Sequence, residues 1–369
     1  MGPVRRLTTV KAAIVHEYLN QYGGAERVLQ VLCAMLPHAP IYTTLYDRSM
    51  TGGVFDGRSI RTSFLQRLPF ALRWHHLYSP LMPLAVEQFD TSAFDTVLSV
   101  SASFAKGVIT MPGTRHVCYC LTPPRFLWDD SQRFVQRFGY PLPIGKLAPL
   151  GLSYLRVWDR QAAERVDEWI AISEFVRRRI GKYYAKDAVV VHPPVNVAKF
   201  SVSRTEGRYW LMVGRLVAYK NFDLAIRAFN RLGWPLVIVG TGVEERRLKA
   251  MAKPNIRFVG AVTDTELAQY YADARAVLFP QEEDFGIVPL EAMASGRPVI
   301  AFHGGGALET IIDRITGVFF YDQTEDDIIA AVDRASRMKW LPDLARGQAE
   351  RFDIPVFRRK MSAALGLPV

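Results

Sequence analysis

Between Phe279 and Gly296 the sequence reads FPQEEDFGIVPLEAMASG, an apolar strand (Ala276, Val277, Leu278, Phe279) running through a polar turn into a helix. The turn carries three carboxylates, Glu282, Glu283 and Asp284, and a fourth, Glu291, follows Glu283 by eight residues. At about 3.6 residues per turn this spacing puts Glu283 and Glu291 on one side of a ligand lying along the helix start. Between them Phe285, Gly286 and Ile287 present backbone N–H groups at a helix N-terminus, where unpaired donors and the positive dipole end attract an anion, with Asp284 and Val288 beside them as further donor-binding candidates. Carboxylates accept hydrogen bonds from sugar hydroxyls and amides take phosphate oxygens. A ligand with phosphate in the middle and polyol at both ends is a nucleotide sugar. The competing reading is an acidic surface turn before an ordinary helix; Gly286 and the small-residue run from Ala292 to Gly296 argue instead for close backbone approach.

A second group with chemical potential is Arg215 and Lys220. They follow a strand at Tyr209 to Val213 and precede a helix at Phe222 to Leu232. Cations there can meet a diphosphate whose negative charge grows as a glycosidic bond breaks, an interaction stronger in the transition state than in the ground state. Exposed salt bridging is the alternative on spacing alone.

The elements that position these groups alternate between strand and helix. Ala12 to His16 predicts a buried strand, and Gly23-Gly24 turns it into a helix from about Ala25 to Leu36, the phosphate-side arrangement of a Rossmann half. Further strands are expected at Ile41 to Leu45, Thr96 to Val100, Gly107 to Thr110, the segment carrying Cys118 and Cys120, Trp169 to Ile172, and Ala188 to Val191. Ser173 predicts an N-cap. His192-Pro193-Pro194 stops the first half, with a boundary between Pro193 and Gly207. In the second half, strands are expected at Leu236 to Val239, Ile256 to Val259 and Pro298 to Phe302, with Asp264 capping a helix and His303 to Ala307 forming a flexible loop. Gly240-x-Gly242 lacks the third glycine of a dinucleotide fingerprint, so an NAD site is disfavoured.

Composition limits the class. At 369 residues with 49% hydrophobic content, the chain can build two domains with full cores. The net charge of +10 is concentrated early: 23 basic against 15 acidic residues in 1–195, and 23 against 21 in 196–369. Such a half suits phosphates, nucleic acid or an anionic membrane surface, or is a solvated basic face. Arg58 to Phe89 mixes Arg61, Arg67 and Arg73 with Phe64, Phe70, Trp74, Leu77 and Tyr78; it reads either as a membrane-docking surface or as a core helix with an acceptor-side loop. Tyr140 to Trp158 is a second apolar candidate. Cys33, Cys118 and Cys120 show no ligand spacing and read as buried thiols of a reducing cytoplasm. The sequence has neither an apolar signal core nor a window of about 20 apolar residues that would span a bilayer.

The acidic segment continued as FPQEEDFGIVPLEAMASGRPVIA resembles the signature of the family-4 retaining glycosyltransferases of the GT-B architecture, with Glu283 and Glu291 as the paired glutamates. GGAERVL, GRLVAYKN, VIVGTGVEERRL and GGGALETI extend the resemblance over nearly the whole chain, and it is nearest to bacterial O-antigen and exopolysaccharide mannosyltransferases. The resemblance implies an α/β protein of two doubly wound Rossmann-like domains facing a cleft: an acceptor-side domain at 1–195, a nucleotide-sugar domain at 196–351, and a closing helix at 352–369 returning to the first. It implies that Gly23 and Gly24 abut the donor diphosphate, that Glu283 holds sugar hydroxyls and Glu291 the ribose, and that Gly260 and Val262 neighbour the base. The expected donor is GDP-mannose and the acceptor a glycan or polyprenyl-diphosphate-linked sugar at the inner face of the plasma membrane, with retention by front-face attack, no metal or cofactor, and no nucleic acid. HVCYCLTPPRFLWDD departs from the pattern, because Leu121 stands where a sugar-contacting histidine is expected. His116, Arg125, Trp128 and Asp129 are the remaining acceptor or sugar candidates, His116 reading more readily as structural. Two rivals stay open: a sugar-nucleotide epimerase, and a non-catalytic protein binding sugar nucleotides or nucleic acid.

Overall fold

The computed structural model describes residues 11–129 and 144–367. Asp130 and the start of the Tyr140 to Trp158 stretch lie outside the described residues. The chain divides into two compact units, Met1–Val191 with Lys360–Val369, and His192–Arg359.

The first unit is a seven-stranded parallel sheet in the order β3-β2-β1-β4-β5-β6-β7. Its strands are β1 (Ala12–His16), β2 (Ile41–Thr43), β3 (Ile60–Thr62), β4 (Thr96–Ser101), β5 (Arg115–Cys120), β6 (Glu168–Ala171) and β7 (Val189–Val190). Helices cover a parallel sheet on both faces, so its central strands are continuous apolar runs rather than alternating ones; Ala13, Ile14 and Val15 are all fully buried. Gly107 to Thr110, expected as a strand, is instead the end of a 3-10 turn at Ala105–Gly107 followed by irregular chain. Lys106 explains the turn: its ammonium is buried, donating to the Ser103 carbonyl and the Asp159 carboxylate. Ser173 caps the Glu174–Tyr184 helix as expected, its hydroxyl accepting the Val176 N–H at 3.0 Å.

The second unit is a six-stranded parallel sheet, β10-β9-β8-β11-β12-β13. The strands are β8 (Tyr209–Val213), β9 (Leu236–Val239), β10 (Ile256–Gly260), β11 (Ala274–Phe279), β12 (Val299–Phe302) and β13 (Gly317–Phe320). Counted within the unit this is the doubly wound order 3-2-1-4-5-6. The Phe222–Leu232 helix buries Phe222, Ala225, Ile226 and Phe229, one face at helical spacing, among Trp210, Ile238 and Val332. Asp264 is not the cap of its helix. Thr263 is, accepting the Glu266 N–H while the Glu266 carboxylate takes the Thr263 N–H at 2.8 Å, a capping box shifted one residue upstream.

Candidate functional site

Open parallel sheets bind ligands outside the carboxyl ends of their strands, where the strand order reverses. In the second unit that point lies between β8 and β11. The chain leaving β8 passes Gly214, Arg215 and Leu216, makes a 3-10 turn at Ala218–Lys220, and enters the next helix through Asn221 at φ 53°. The chain leaving β11 forms the acidic turn. Lys220 and Glu283, 63 residues apart, meet there: the Lys220 ammonium donates to Glu283 Oε1, which also accepts Gln281 Nε2 at 3.0 Å. Their side chains are only 11% and 19% exposed, so the pair is largely shielded from water and its attraction correspondingly strong. The turn is also tied at its start, where the Pro280 carbonyl accepts Gln323 Nε2 at 2.9 Å and Asn221 Nδ2 at 3.3 Å.

Glycines set the shape of these loops. Gly286, at φ 88°, precedes the Ile287–Ala294 helix in a conformation that L side chains rarely adopt, and a Cβ there would lie 2.7 Å from the Phe279 ring. The run Gly304-Gly305-Gly306 is not a flexible loop. It packs backbone on backbone against the acidic turn: a Cβ on Gly305 would fall 2.2 Å from the Glu283 carbonyl oxygen, and the Gly306 N–H donates to that oxygen at 2.9 Å. Gly240 and Gly242 brace the loop carrying Arg215 in the same way, with added Cβ atoms 2.0 Å from the Gly214 oxygen and 2.3 Å from the Leu216 oxygen.

Glu283 and Glu291 do not share a helix face, because the helix begins only at Ile287. Glu291 lies on the helix, 4% exposed, with Oε2 accepting the hydroxyl of the buried Tyr271 at 2.8 Å. Arg215 is exposed and makes no ion pair among the described residues. Asp284, Ile287 and Val288 are half-buried, whereas Phe285 is buried and stacks on His192 at 5.5 Å between ring centroids. His192 in turn bonds Glu309 Oε2 at 2.9 Å. Gly260, at φ 86°, faces open space, with the half-buried Val262 close behind. His192 and Glu309 carry no sequence signal of their pairing, since they are remote from each other in the chain.

In the first unit, Gly23 caps the Gly24–Met35 helix, its N–H donating to Glu26 Oε2 at 2.7 Å. Burial pushes the Glu26 carboxyl up, yet the neighbouring His16 and the Gly23 N–H outweigh it and hold the group below the usual carboxylate range. The switch point between β1 and β4 is filled by the chain itself. Glu17, 4% exposed, accepts the backbone N–H groups of Ala102, Ser103, Phe104 and Ala105 at 2.6–3.1 Å. A carboxylate thus occupies an amide nest of the kind that elsewhere binds anions.

Among the acceptor candidates, His116 is corrected to a structural residue. It is fully buried on β5, with Nε2 on the Ser99 hydroxyl at 2.9 Å and Nδ1 on the Arg165 carbonyl at 3.3 Å. Burial drives its pKa down to about 4. Trp128 donates its indole N–H to the buried Asp159 at 2.8 Å and stacks on Tyr183 at 4.9 Å. Asp129 accepts from Arg179 and Tyr183, and the half-buried Arg125 lies 5.9 Å from the Phe175 ring centroid. Leu121 is half-buried, its N–H on the Ser101 carbonyl at 2.8 Å. Among the described residues no three His, Cys, Asp or Glu side chains group as a metal site, and no helix is long and apolar enough to cross a membrane.

Residues 196–351, which carry the Lys220–Glu283 pair and all the loops around it, match the model of the glycosyl transferases group 1. That match lies within the second unit. Over part of its length the chain is 35% identical to an uncharacterized glycosyltransferase of Methanocaldococcus jannaschii, across 134 residues and 34% of each protein. It is 30% identical across 205 residues, 47% of this chain and 54% of the relative, to a GDP-mannose-dependent alpha-(1-6)-phosphatidylinositol monomannoside mannosyltransferase of Mycolicibacterium smegmatis. The alignments span a third to a half of the first curated relatives. HepE of Anabaena, solved in complex with UDP, shares the fold at a TM-score of 0.71 and 16% identity, over 96% of this chain and 99% of its own. The matched region is therefore one of two doubly wound units of a chain with the GT-B fold.

Proposed function

We propose that the chain is a retaining glycosyltransferase that moves a hexose, mannose from GDP-mannose in first place, onto a hydroxyl of a lipid-linked oligosaccharide or glycan in cell-surface polysaccharide synthesis. The observation that carries this reading is the Lys220–Glu283 pair at the switch point of the family-matched unit, immediately before a helix N-terminus. In the reaction the bond from the anomeric carbon to the diphosphate oxygen breaks, and a bond to the acceptor oxygen forms on the same face. The acceptor proton passes to the departing diphosphate. Lys220 and Arg215 stabilise the charge gathering on that group, together with the amides from Phe285 to Ile287; Glu283 orients the sugar through its hydroxyls. Glu291 is assigned to the ribose, Gly260 and Val262 to the base, and Gly23 with Gly24 to phosphate oxygens. With two cations so placed, the transfer needs no metal.

The mannosyltransferase relative supports mannose and guanine. Leu121, which replaces an expected histidine, removes the usual sugar contact, and a second reading within the same class is transfer of another sugar from a UDP-sugar. A thermal-shift panel of GDP-, UDP- and ADP-sugars separates them, since a ligand at about 100 times its Kd stabilises by roughly 2.7 kcal/mol. Product analysis by NMR then reads the anomeric configuration; conversion of the donor without acceptor would indicate an epimerase. No stabilisation by any sugar nucleotide would refute the assignment.

A further inference from the structure

The acceptor side of the molecule carries a surface that the transferase reading leaves unused. From Gly57 to Val86 the sequence has four arginines and no acidic residue. In the structure this segment turns its large apolar side chains outward: Phe70 is 69% exposed, Trp74 43%, Leu77 51%, Leu81 40% and Leu84 49%. Leu77 and Leu81 lie on a 3-10 turn at His75–Leu81 and Leu84 on the helix Met82–Glu87, while Phe70 and Trp74 sit in the chain just before them with their ring centroids 5.2 Å apart. The opposite face, with Ala71, Met82, Ala85 and Val86, is buried in the core of the first unit. The exposed stripe is therefore not a frayed loop.

The segment is also pinned. Asn20 Nδ2 donates to the Leu72 carbonyl at 2.9 Å and bonds His75 Nδ1 at 2.9 Å, and the Tyr78 hydroxyl donates to the Pro69 carbonyl at 2.7 Å. Phe70 has φ 55°, a left-handed backbone that disfavours a bulky side chain. The strain is held by N–H donation from Arg73 and Trp74 to the Phe70 carbonyl at 3.0 and 2.9 Å, and the result is an aromatic ring facing solvent. On the same segment Arg67 and Arg73 are exposed, with the Arg73 guanidinium 5.9 Å from the Trp74 ring centroid, while Arg61 donates to the Tyr42 hydroxyl at 2.7 Å. A second exposed apolar stripe, Leu150, Tyr154 and Val157, follows on the Ile144–Ala163 helix of the same unit.

We infer that the Phe70–Leu84 stripe is a docking surface for an anionic lipid bilayer, with the apolar side chains entering the headgroup boundary and the arginines meeting lipid phosphates. Charge complementarity selects this partner: a stripe meeting a second copy of itself would oppose arginine to arginine, and a neutral protein groove would give the acid-free margin no role. Exposed aromatics and aliphatics among arginines, with the flanking carboxylates Asp56 and Glu87 each paired to an arginine outside the segment, Arg48 and Arg165, make an interfacial surface. The inference goes beyond the donor chemistry and does not depend on it.

The test is co-sedimentation of the full chain with phosphatidylcholine vesicles with and without phosphatidylglycerol, over a salt series. The wild-type chain should sediment with the anionic vesicles and be released as salt rises. Arg67→Ala with Arg73→Ala should weaken partitioning about tenfold. Phe70→Ser with Leu77→Ser should abolish it, while melting temperature and the thermal shift with sugar nucleotide stay close to wild type because both side chains are more than half exposed. Quenching of tryptophan emission by brominated lipid should fall in Trp74→Phe. Wild-type chain remaining in the supernatant with anionic vesicles, or variants partitioning as wild type, would overturn the proposal. So would dimerisation abolished by Phe70→Ser without vesicle binding, which would assign the stripe to a second copy. Sugar-nucleotide binding without vesicle binding would leave the transferase reading standing and remove this one.

Discussion

At the residue scale, the second unit brings a lysine and a glutamate from distant loops into one shielded ion pair. Removing either member leaves the other uncompensated in a site that is mostly dry. Lys220→Ala and Glu283→Ala should each remove most turnover while the far-UV spectrum is unchanged; a rate within a factor of about two of wild type in a product-formation assay would contradict their roles. Gly23 gives a cleaner reading of ligand approach. Its φ of −141° suits any residue, and a Cβ would have only Glu26 Oε2 near it, at 3.4 Å. Gly23→Ala should therefore fold as wild type and raise the donor KM several-fold; an unchanged KM would remove Gly23 from the phosphate contacts. His116 yields a prediction in pH. Its folded pKa of about 4 lies below its ordinary 6.5, so the unfolded chain takes up the proton first as pH falls. Stability is full above 6.5 and lost progressively toward 4, by up to about 3 kcal/mol. Denaturant titrations between these limits should show the slope, and His116→Asn should flatten it.

At the scale of elements, the acidic turn keeps its shape because another loop fits against its backbone. Gly305 combines φ 60° with a Cβ position 2.2 Å from the Glu283 carbonyl oxygen, a clash with backbone that no rotamer relieves. Gly305→Ala should cost about 2 kcal/mol or more and lower donor affinity. Gly113→Ala is the control, since nothing lies within 4 Å of its added Cβ; chemical denaturation should find it near wild type. The sequence marked the three glycines as a loop but offered no reason for three in succession. The reason is steric and comes from residues twenty positions away.

At the scale of the molecule, the last residues of the chain are part of the first unit. Met361 is fully buried and Leu365 7% exposed, and Arg115 donates to the Leu365 carbonyl at 2.9 Å and the Ala364 carbonyl at 3.0 Å. Truncation after Arg359 should destabilise the first unit by about 4 kcal/mol from the two apolar side chains alone. Calorimetry should show the loss as a lowered melting temperature, and unchanged melting would refute the packing role.

The α/β class, the strand positions of β1, β8 and β9, and the placement of an acidic turn and a basic loop each after a strand are legible in the sequence. They rest on local patterns: apolar runs of strand length, turn glycines, and charge placed where a strand ends. Partner choice required the tertiary structure. Glu283 meets Lys220 across 63 residues, Glu291 turns inward to Tyr271, and Glu17 fills its own amide nest, none of which a spacing rule can state. His116 and Phe70 make the same point from opposite sides: burial hides one candidate and backbone strain exposes the other. Side-chain environment is set by which elements pack together, and that packing is a property of the whole unit.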